Sequence, residues 1–357
     1  RRQRQMCIRD SIAPEPSIMK VLQESIMVPE NYKYAINELP EMKSAIHDWY
    51  KNRYNVELTY DEMICLQGSQ EALSTLFLAM CDPGDIVLVP DPYYPIFSDG
   101  PKIAGAKVEY MPLLQENNYV IQLDQIDEEI AKKAKIMIVS YPNNPTCAIA
   151  PDSFYEELIQ FAKKYDIVVL HDNAYSELVF DGKVGKSFLS FEGAKEIGIE
   201  LNSFSKTYGM AGARLGVCVG NKEVIDCYNT LKSNMDYGIF LPIQYAGIEA
   251  LRHGGASIHS TCQAYQDRRD AICEAFDEVG WHIDKSPATM FVWARIPDQY
   301  EDSYAFTKDL MEKTGVVVTP GQAFGVHGTR YVRLALVQDI EDIQKAAERI
   351  KKSEIFK

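Results

Sequence analysis

Long apolar runs are missing from this 357-residue chain. No stretch approaches the roughly 18 residues that a membrane-crossing helix needs. Paired cysteines are missing too. The eight cysteines are scattered, with no Cys-x-x-Cys spacing and no His/Cys cluster. That argues against a disulfide framework or a zinc site, and it is expected of reduced thiols in a cytoplasmic protein. An excess of basic charge is also absent: 37 Lys and Arg stand against 51 Asp and Glu, a net charge of -14. Nucleic acid and anionic membrane surfaces are therefore not expected partners. Repeats and low-complexity linkers are lacking, which argues against solenoid, fibrous and disordered chains. What remains is ordinary globular material, 46% hydrophobic and 25% charged, in a length that suits two domains.

The first eleven residues depart from this balance, with Arg1, Arg2, Arg4 and Arg9 close together. No apolar stretch follows them, so a secretory signal is poorly supported. Read back into codons, residues 1–11 resemble a transposase-type sequencing adapter. They are expected to be a read-assembly artefact, with the gene's true start missing. A native genomic copy of the same string would overturn this reading.

From about residue 60, apolar strands alternate with helices. Helices are expected over 69–80 and 152–164, and strands over 86–89, 136–140, 167–170 and 215–219. Continuous apolar strands interleaved with helices predict a largely parallel sheet covered on both faces. After residue 222 the pattern changes to long helices (222–233, 242–252, 257–279) and separate strands at 290–294, 316–318 and 331–336. A last helix is expected over 340–352. The expected organisation is α/β, with a large domain over 28–245. A smaller α+β domain takes 12–27 and 246–357.

Several segments carry chemistry. In the first, Ser203 and Ser205 flank Lys206, and Arg214 follows eight residues after the lysine. A Schiff-base lysine needs an amine whose pKa falls by partial burial near cations. A phosphate needs hydroxyls, backbone N–H groups and a guanidinium fork. The plainer alternative is a surface lysine beside a flexible loop. In the second, Asp172 closes the apolar run 167–170, with Tyr175 just beyond. Open α/β sheets place ligands at such strand ends, and a carboxylate there suits a protonated pyridine nitrogen. It equally suits a helix cap, and His171 reads as structural. Asn144 lies in a Tyr-Pro-Asn-Asn-Pro segment that is either a ligand contact or a simple turn. Ser69 and Gln70 follow Gly68 at a loop-to-helix junction, an anion site or an ordinary cap.

Together these segments resemble the fold-type-I enzymes that use pyridoxal 5′-phosphate, specifically class I/II aminotransferases. The resemblance covers nearly all of residues 12–357. It implies the PLP-dependent transferase fold and Lys206 as the Schiff-base lysine. It also implies phosphate ligands at Ser203, Ser205 and Arg214 and at the backbone of Ser69 and Gln70. Asp172 would pair with the ring nitrogen. Asn144 and Tyr175 would hold the 3′-oxygen, and Tyr94 would stack on the ring unless it is only a packed loop aromatic. Alternation over 331–336 places Tyr331, Arg333 and Ala335 on one strand face. The family uses the position of Arg333 to clamp the substrate α-carboxylate, whereas the plain alternative is a structural salt bridge. Arg330 reads as a solvated strand-end charge.

Cys147 stands where the family often has glycine, and Ala72 replaces another frequent glycine. The family's glycine-bearing N-terminal segment, which helps close the substrate pocket, is missing here. Family dimers donate a tyrosine to the neighbour's phosphate, here Tyr32 or Tyr34, with Tyr34 preferred. A homodimer is expected for that reason. Residues 233–244 resemble the Ser-Asn-x-Asp-x-Gly-x-Phe-x-Pro-x-Gln pattern of LL-diaminopimelate aminotransferases. Asn234 would then face the substrate's distal end, or it merely ends a helix. The implied reaction moves an amino group from an L-amino acid to a 2-oxo acid such as 2-oxoglutarate, with Lys206 as general base and acid. A PLP-dependent C–S lyase would keep the same groups. An aminotransferase-like domain of a transcription regulator is a more remote alternative.

Overall fold

The computed structural model describes residues 12–356, so the expectation for residues 1–11 lies outside the described residues. Its main sheet has seven strands in the order β1-β7-β6-β5-β4-β2-β3. These are β1 (Met63–Leu66), β2 (Ile86–Asp91), β3 (Lys107–Pro112), β4 (Ala134–Val139), β5 (Val168–Asp172), β6 (Gly198–Ser203) and β7 (Gly216–Gly220). Pairing is parallel between β3, β2, β4, β5 and β6, while β7 runs antiparallel to both β6 and β1.

Strand periodicity explains why both faces are covered. In β4, Met137 and Val139 enter one buried cluster, and Ile136 and Ile138 enter the other. Val217 and Val219 of β7 join the first cluster and Cys218 the second. Helices Pro40–Tyr54, Asp152–Tyr165 and Leu241–His253 close the first face, through residues such as Ile46, Leu158 and Ala246. Helix Ser69–Met80 closes the second. Its Leu73, Leu76 and Phe77 fall at helical spacing and are buried together.

A second sheet, order β8-β10-β9, contains β8 (Phe291–Arg295), β9 (Thr319–Pro320) and β10 (Tyr331–Ala335), all antiparallel. It packs with helices Gly255–Asp277, Ser303–Thr314 and Ile340–Ser353 around a core that includes Phe276, Trp281 and Phe306. The expected strand at 316–318 is displaced. Val316 and Val318 are buried in that core, but ladder pairing with β10 begins only at Thr319. At the start of the described chain, Ile12 packs against the small-sheet core. Ile18, in helix Pro16–Ile26, is buried in the large-sheet core beside helix Leu241–His253.

The topology brings the chemistry to one edge. Segments leaving the C-terminal ends of β1, β2, β4, β5 and β6 carry Ser69, Tyr94, Asn144, Asp172 and Ser203 in turn. Because β7 runs the other way, Arg214 precedes it at that same edge.

Candidate active site

Asp172 is the last residue of β5 and is buried. Burial pushes its carboxyl up from an ordinary value of 3.8 to about 6, against lowering effects from His171 and from a backbone hydrogen bond at Ala174. Its Oδ1 is buried with no hydrogen-bond partner among the described residues. Such an oxygen is costly to leave unmatched, so the site suits a cationic group placed opposite it. Neighbouring His171 points into the protein: its Nδ1 lies 3.2 Å from Glu200 Oε2 and it is fully buried, the structural role expected of it.

The loop after β4 is locked by its own side chains. Asn143 Oδ1 accepts the Thr146 backbone N–H at 3.0 Å and its hydroxyl at 2.8 Å. This fixes Asn144, whose Oδ1 accepts Arg333 Nη1 at 2.7 Å. Cys147 takes the left-handed conformation, φ 64, that glycine adopts at little cost, in accord with the family's usual residue there. Its thiol lies 3.3 Å from the Phe291 carbonyl.

Arg333 behaves as strand alternation predicted. Val332 and Leu334 are buried while Tyr331, Arg333 and Ala335 share the other face. Its guanidinium carbon sits 4.0 Å over the Phe291 ring and 4.5 Å over the Phe324 ring, which orients the fork. Arg330, expected as a solvated charge, instead binds backbone carbonyls, with Nη2 3.1 Å from Pro297 O. Tyr175 is buried with its ring 5.9 Å from Phe291. Burial raises the Tyr94 hydroxyl, and that side chain feels the charges of Asp172, Arg333 and Arg214 together.

Lys206 belongs to the one-turn helix Phe204–Thr207. Ser203 caps this turn, its Oγ accepting the Ser205 N–H at 3.2 Å, and both serines are buried. Arg214, just before β7, has Nη1 3.0 Å from Ala211 O and Nη2 3.4 Å from Gln67 O, which follows the neighbouring β1. Gly68 begins helix Ser69–Met80 at φ 76 with no side-chain cap. A Cβ on Gly68 would fall 2.4 Å from Arg214 Nη2, and one on Gly216 would fall 2.8 Å from the Ser69 nitrogen. Glycine is favoured at position 68 by its positive φ and required at position 216 by the Ser69 backbone, and both let a guanidinium and a helix N-terminus converge. That convergence makes a cradle for an anion.

Two sequence candidates lie elsewhere on this chain. Tyr34 is 77% exposed, its ring 5.0 Å from that of Tyr237. Asn234 is exposed and donates to the Thr230 carbonyl at 2.8 Å. Lys232 and Glu71, which adjoin the cradle, were not foreseen, because their ion pair spans 161 residues and leaves no local signature. Among the described residues no group of His, Cys, Asp and Glu is placed to hold a metal, and no helix is long and apolar enough to cross a membrane.

Comparison with known proteins agrees with this geometry. The aminotransferase class I and II family model matches residues 9–350. An LL-diaminopimelate aminotransferase of Halothermothrix orenii is 45% identical over 348 residues, covering 97% of this chain and 89% of that protein. Its counterpart in Moorella thermoacetica is 42% identical with the same coverage. Substrate-bound BacF of Bacillus subtilis superposes with a TM-score of 0.93 at 37% identity, over 96% of this chain and 88% of that one. A probable N-succinyldiaminopimelate aminotransferase of Thermus thermophilus gives 0.90 at 31% identity, over 99% and 96%.

Pyridoxal 5′-phosphate fits the residues present. Its ring nitrogen matches the partnerless Asp172 oxygen, and its phosphate matches the cradle that any Cβ at Gly68 would fill. The chain belongs to the class I and II aminotransferases and is a pyridoxal 5′-phosphate-dependent transaminase of fold type I.

Proposed function

We propose that this aminotransferase takes LL-diaminopimelate as amino donor and 2-oxoglutarate as acceptor. The observation that carries the donor is the identity of 45% and 42% to two LL-diaminopimelate aminotransferases along nearly the whole chain. When bound, the cofactor supplies a protonated ring that accepts the electrons of the breaking Cα–H bond. Asp172 holds that ring's cation as a carboxylate. Asn144 and Tyr175 would hydrogen-bond its 3′-oxygen, and Tyr94 would cover one ring face. Ser203, Ser205, Arg214 and the N–H groups of Ser69 and Gln70 would hold the phosphate. Lys206 would hold the cofactor through its amine and, once released, would carry the proton taken from the substrate Cα as general base and acid. Arg333 clamps the substrate α-carboxylate, supported by its fixed fork between two aromatic faces and by its bond to Asn144.

The test is a panel of amino donors with 2-oxoglutarate. LL-diaminopimelate is expected to give the highest kcat/KM. A clear preference for alanine, aspartate or an aromatic amino acid, or release of pyruvate from cystathionine, would contradict the proposal. In the same assay Arg333→Gln is expected to lower kcat/KM by ~100-fold through loss of a bidentate carboxylate contact. An unchanged value removes Arg333 from the substrate site.

A homodimer completes this reading. Tyr32 pairs with Phe240 and Tyr34 with Tyr237, ring centroids 5.4 and 5.0 Å apart, and these aromatics are exposed, as are Ile36 and Met235 nearby in sequence. A patch of that kind suits a second copy of the chain, and it lets Tyr34 reach the partner's phosphate. Asn234 lies in the same 233–240 segment, and the resemblance of residues 233–244 to LL-diaminopimelate aminotransferases supports its place at the distal end of the substrate. Sedimentation is expected to give a dimer, and a monomer at micromolar concentration would contradict it. The seven described cysteines are all free, which supports a reducing, cytoplasmic setting.

A further inference from the structure

Lys232 is only 4% exposed, and no step of transamination needs its amine. It ends helix Lys222–Lys232, where its Nζ lies 2.7 Å from Glu71 Oε1 and 2.6 Å from Asp236 Oδ2. The other Glu71 oxygen accepts the Gln67 backbone N–H at 2.6 Å. The Gln67 carbonyl in turn accepts Arg214 Nη2 at 3.4 Å, and the Gln67 side chain reaches Asp236 Oδ2 at 3.4 Å. Asp236 Oδ1 accepts the Gly238 N–H at 2.8 Å. One hydrogen-bonded network thus joins residues 67–71, Arg214 and residues 232–238.

The location sets an electrostatic problem. Glu71 lies in the first turn of the helix whose N-terminus forms part of the proposed phosphate cradle. Asp236 stands beside it. Two half-buried carboxylates next to an anion site would oppose a phosphate dianion unless a cation offsets them. Their side chains are 13% and 21% exposed, so water screens them little. The Lys232 ammonium is shared between both.

We propose that Lys232 is a positioning residue for the phosphate end of the cofactor site. It offsets Glu71 and Asp236 and ties the 67–70 loop to the 233–238 segment, so that the cradle is set before the phosphate arrives. The same segment carries Tyr237, which packs on Tyr34. The network therefore runs from a subunit's own cradle to the face assigned to the second copy. This inference rests on the phosphate-cradle reading of Gly68, Ser69 and Arg214.

The test uses apoenzyme titrated by equilibrium dialysis with pyridoxal 5′-phosphate and, separately, with pyridoxal, which lacks the phosphate. Lys232→Met is expected to weaken the phosphate ester by ~10- to 100-fold, as a displaced contact does, and to leave pyridoxal binding unchanged. Lys232→Arg is expected to recover most of the loss. Unchanged affinity for the phosphate ester, or an equal loss for both ligands, would overturn the proposal. If Lys232→Met does not fold, Lys232→Gln is read by the same criteria. A wild-type protein that binds both ligands equally contradicts the cradle itself, a result distinct from failure of the Lys232 role alone.

Discussion

Lys206→Ala is expected to lower transamination by ~10^4-fold or more, because one amine both attaches the cofactor and moves the substrate proton. Positioned proton transfer alone is worth ~10^2- to 10^4-fold. Loss of covalent attachment adds to that. Lys206 sits in a one-turn helix capped by Ser203, between the cradle and the Asp172 strand end. Lys232 also adjoins the cradle, but it is held between Glu71 and Asp236 and cannot take over the role. Lys206→Arg is expected to be as inactive as the alanine variant, since it keeps the charge without a usable nucleophile. The readout is conversion of 2-oxoglutarate to glutamate with cofactor added in excess. Turnover within tenfold of wild type in either variant would remove Lys206 from the chemistry.

Asp172→Asn is expected to act in opposite directions on activity and on apoenzyme stability. For activity, the amide cannot hold a ring cation, and loss of one such buried electrostatic contact costs ~10^2- to 10^3-fold in kcat. For stability, the carboxyl titrates near 3.8 in the unfolded chain and near 6 in the folded one, because it is buried. Between those values the folded chain binds the extra proton, so apoenzyme stability falls as pH rises from about 4 to above 6. The loss approaches roughly 3 kcal/mol. Asn carries no such charge. The apo variant is therefore expected to match wild type near pH 4 and to exceed it above pH 6. With cofactor bound, the cation opposite Asp172 favours the carboxylate, and wild type becomes the more stable form at pH 8. Thermal melts of both proteins, with and without cofactor, at pH 4.5 and 8 measure this crossing. An apo variant less stable than wild type at pH 8 would contradict the account of Asp172.

The candidate site was legible because its parts are local. Gly68-Ser69-Gln70, Asn144, Asp172 and the Ser203–Arg214 segment each occupy a short stretch beside a strand. One parallel sheet then brings all the strand ends to one edge. Helix Ser69–Met80 matched its expected bounds because its apolar spacing and its glycine start agree. Other elements were hidden. β1 has only four residues, and β3 is a polar edge strand with Lys107 and Glu109. β6 carries Glu200 in a fully buried strand. That carboxylate breaks the apolar pattern, and it is tolerated because Tyr50, Ser187, the Phe188 N–H and His171 surround it. Pairings such as Glu71 with Lys232 depend on the tertiary fold, so no periodicity or motif announces them.

The central claim is that Lys206, at the shared edge of β5, β6 and β7, is the residue that carries the cofactor. Borohydride reduction of the cofactor-loaded enzyme followed by peptide mapping tests it most directly. The account predicts a phosphopyridoxyl group on the peptide containing Lys206 and on no other lysine. A label on Lys232 or any other lysine, or no label on a transaminating enzyme, would contradict it.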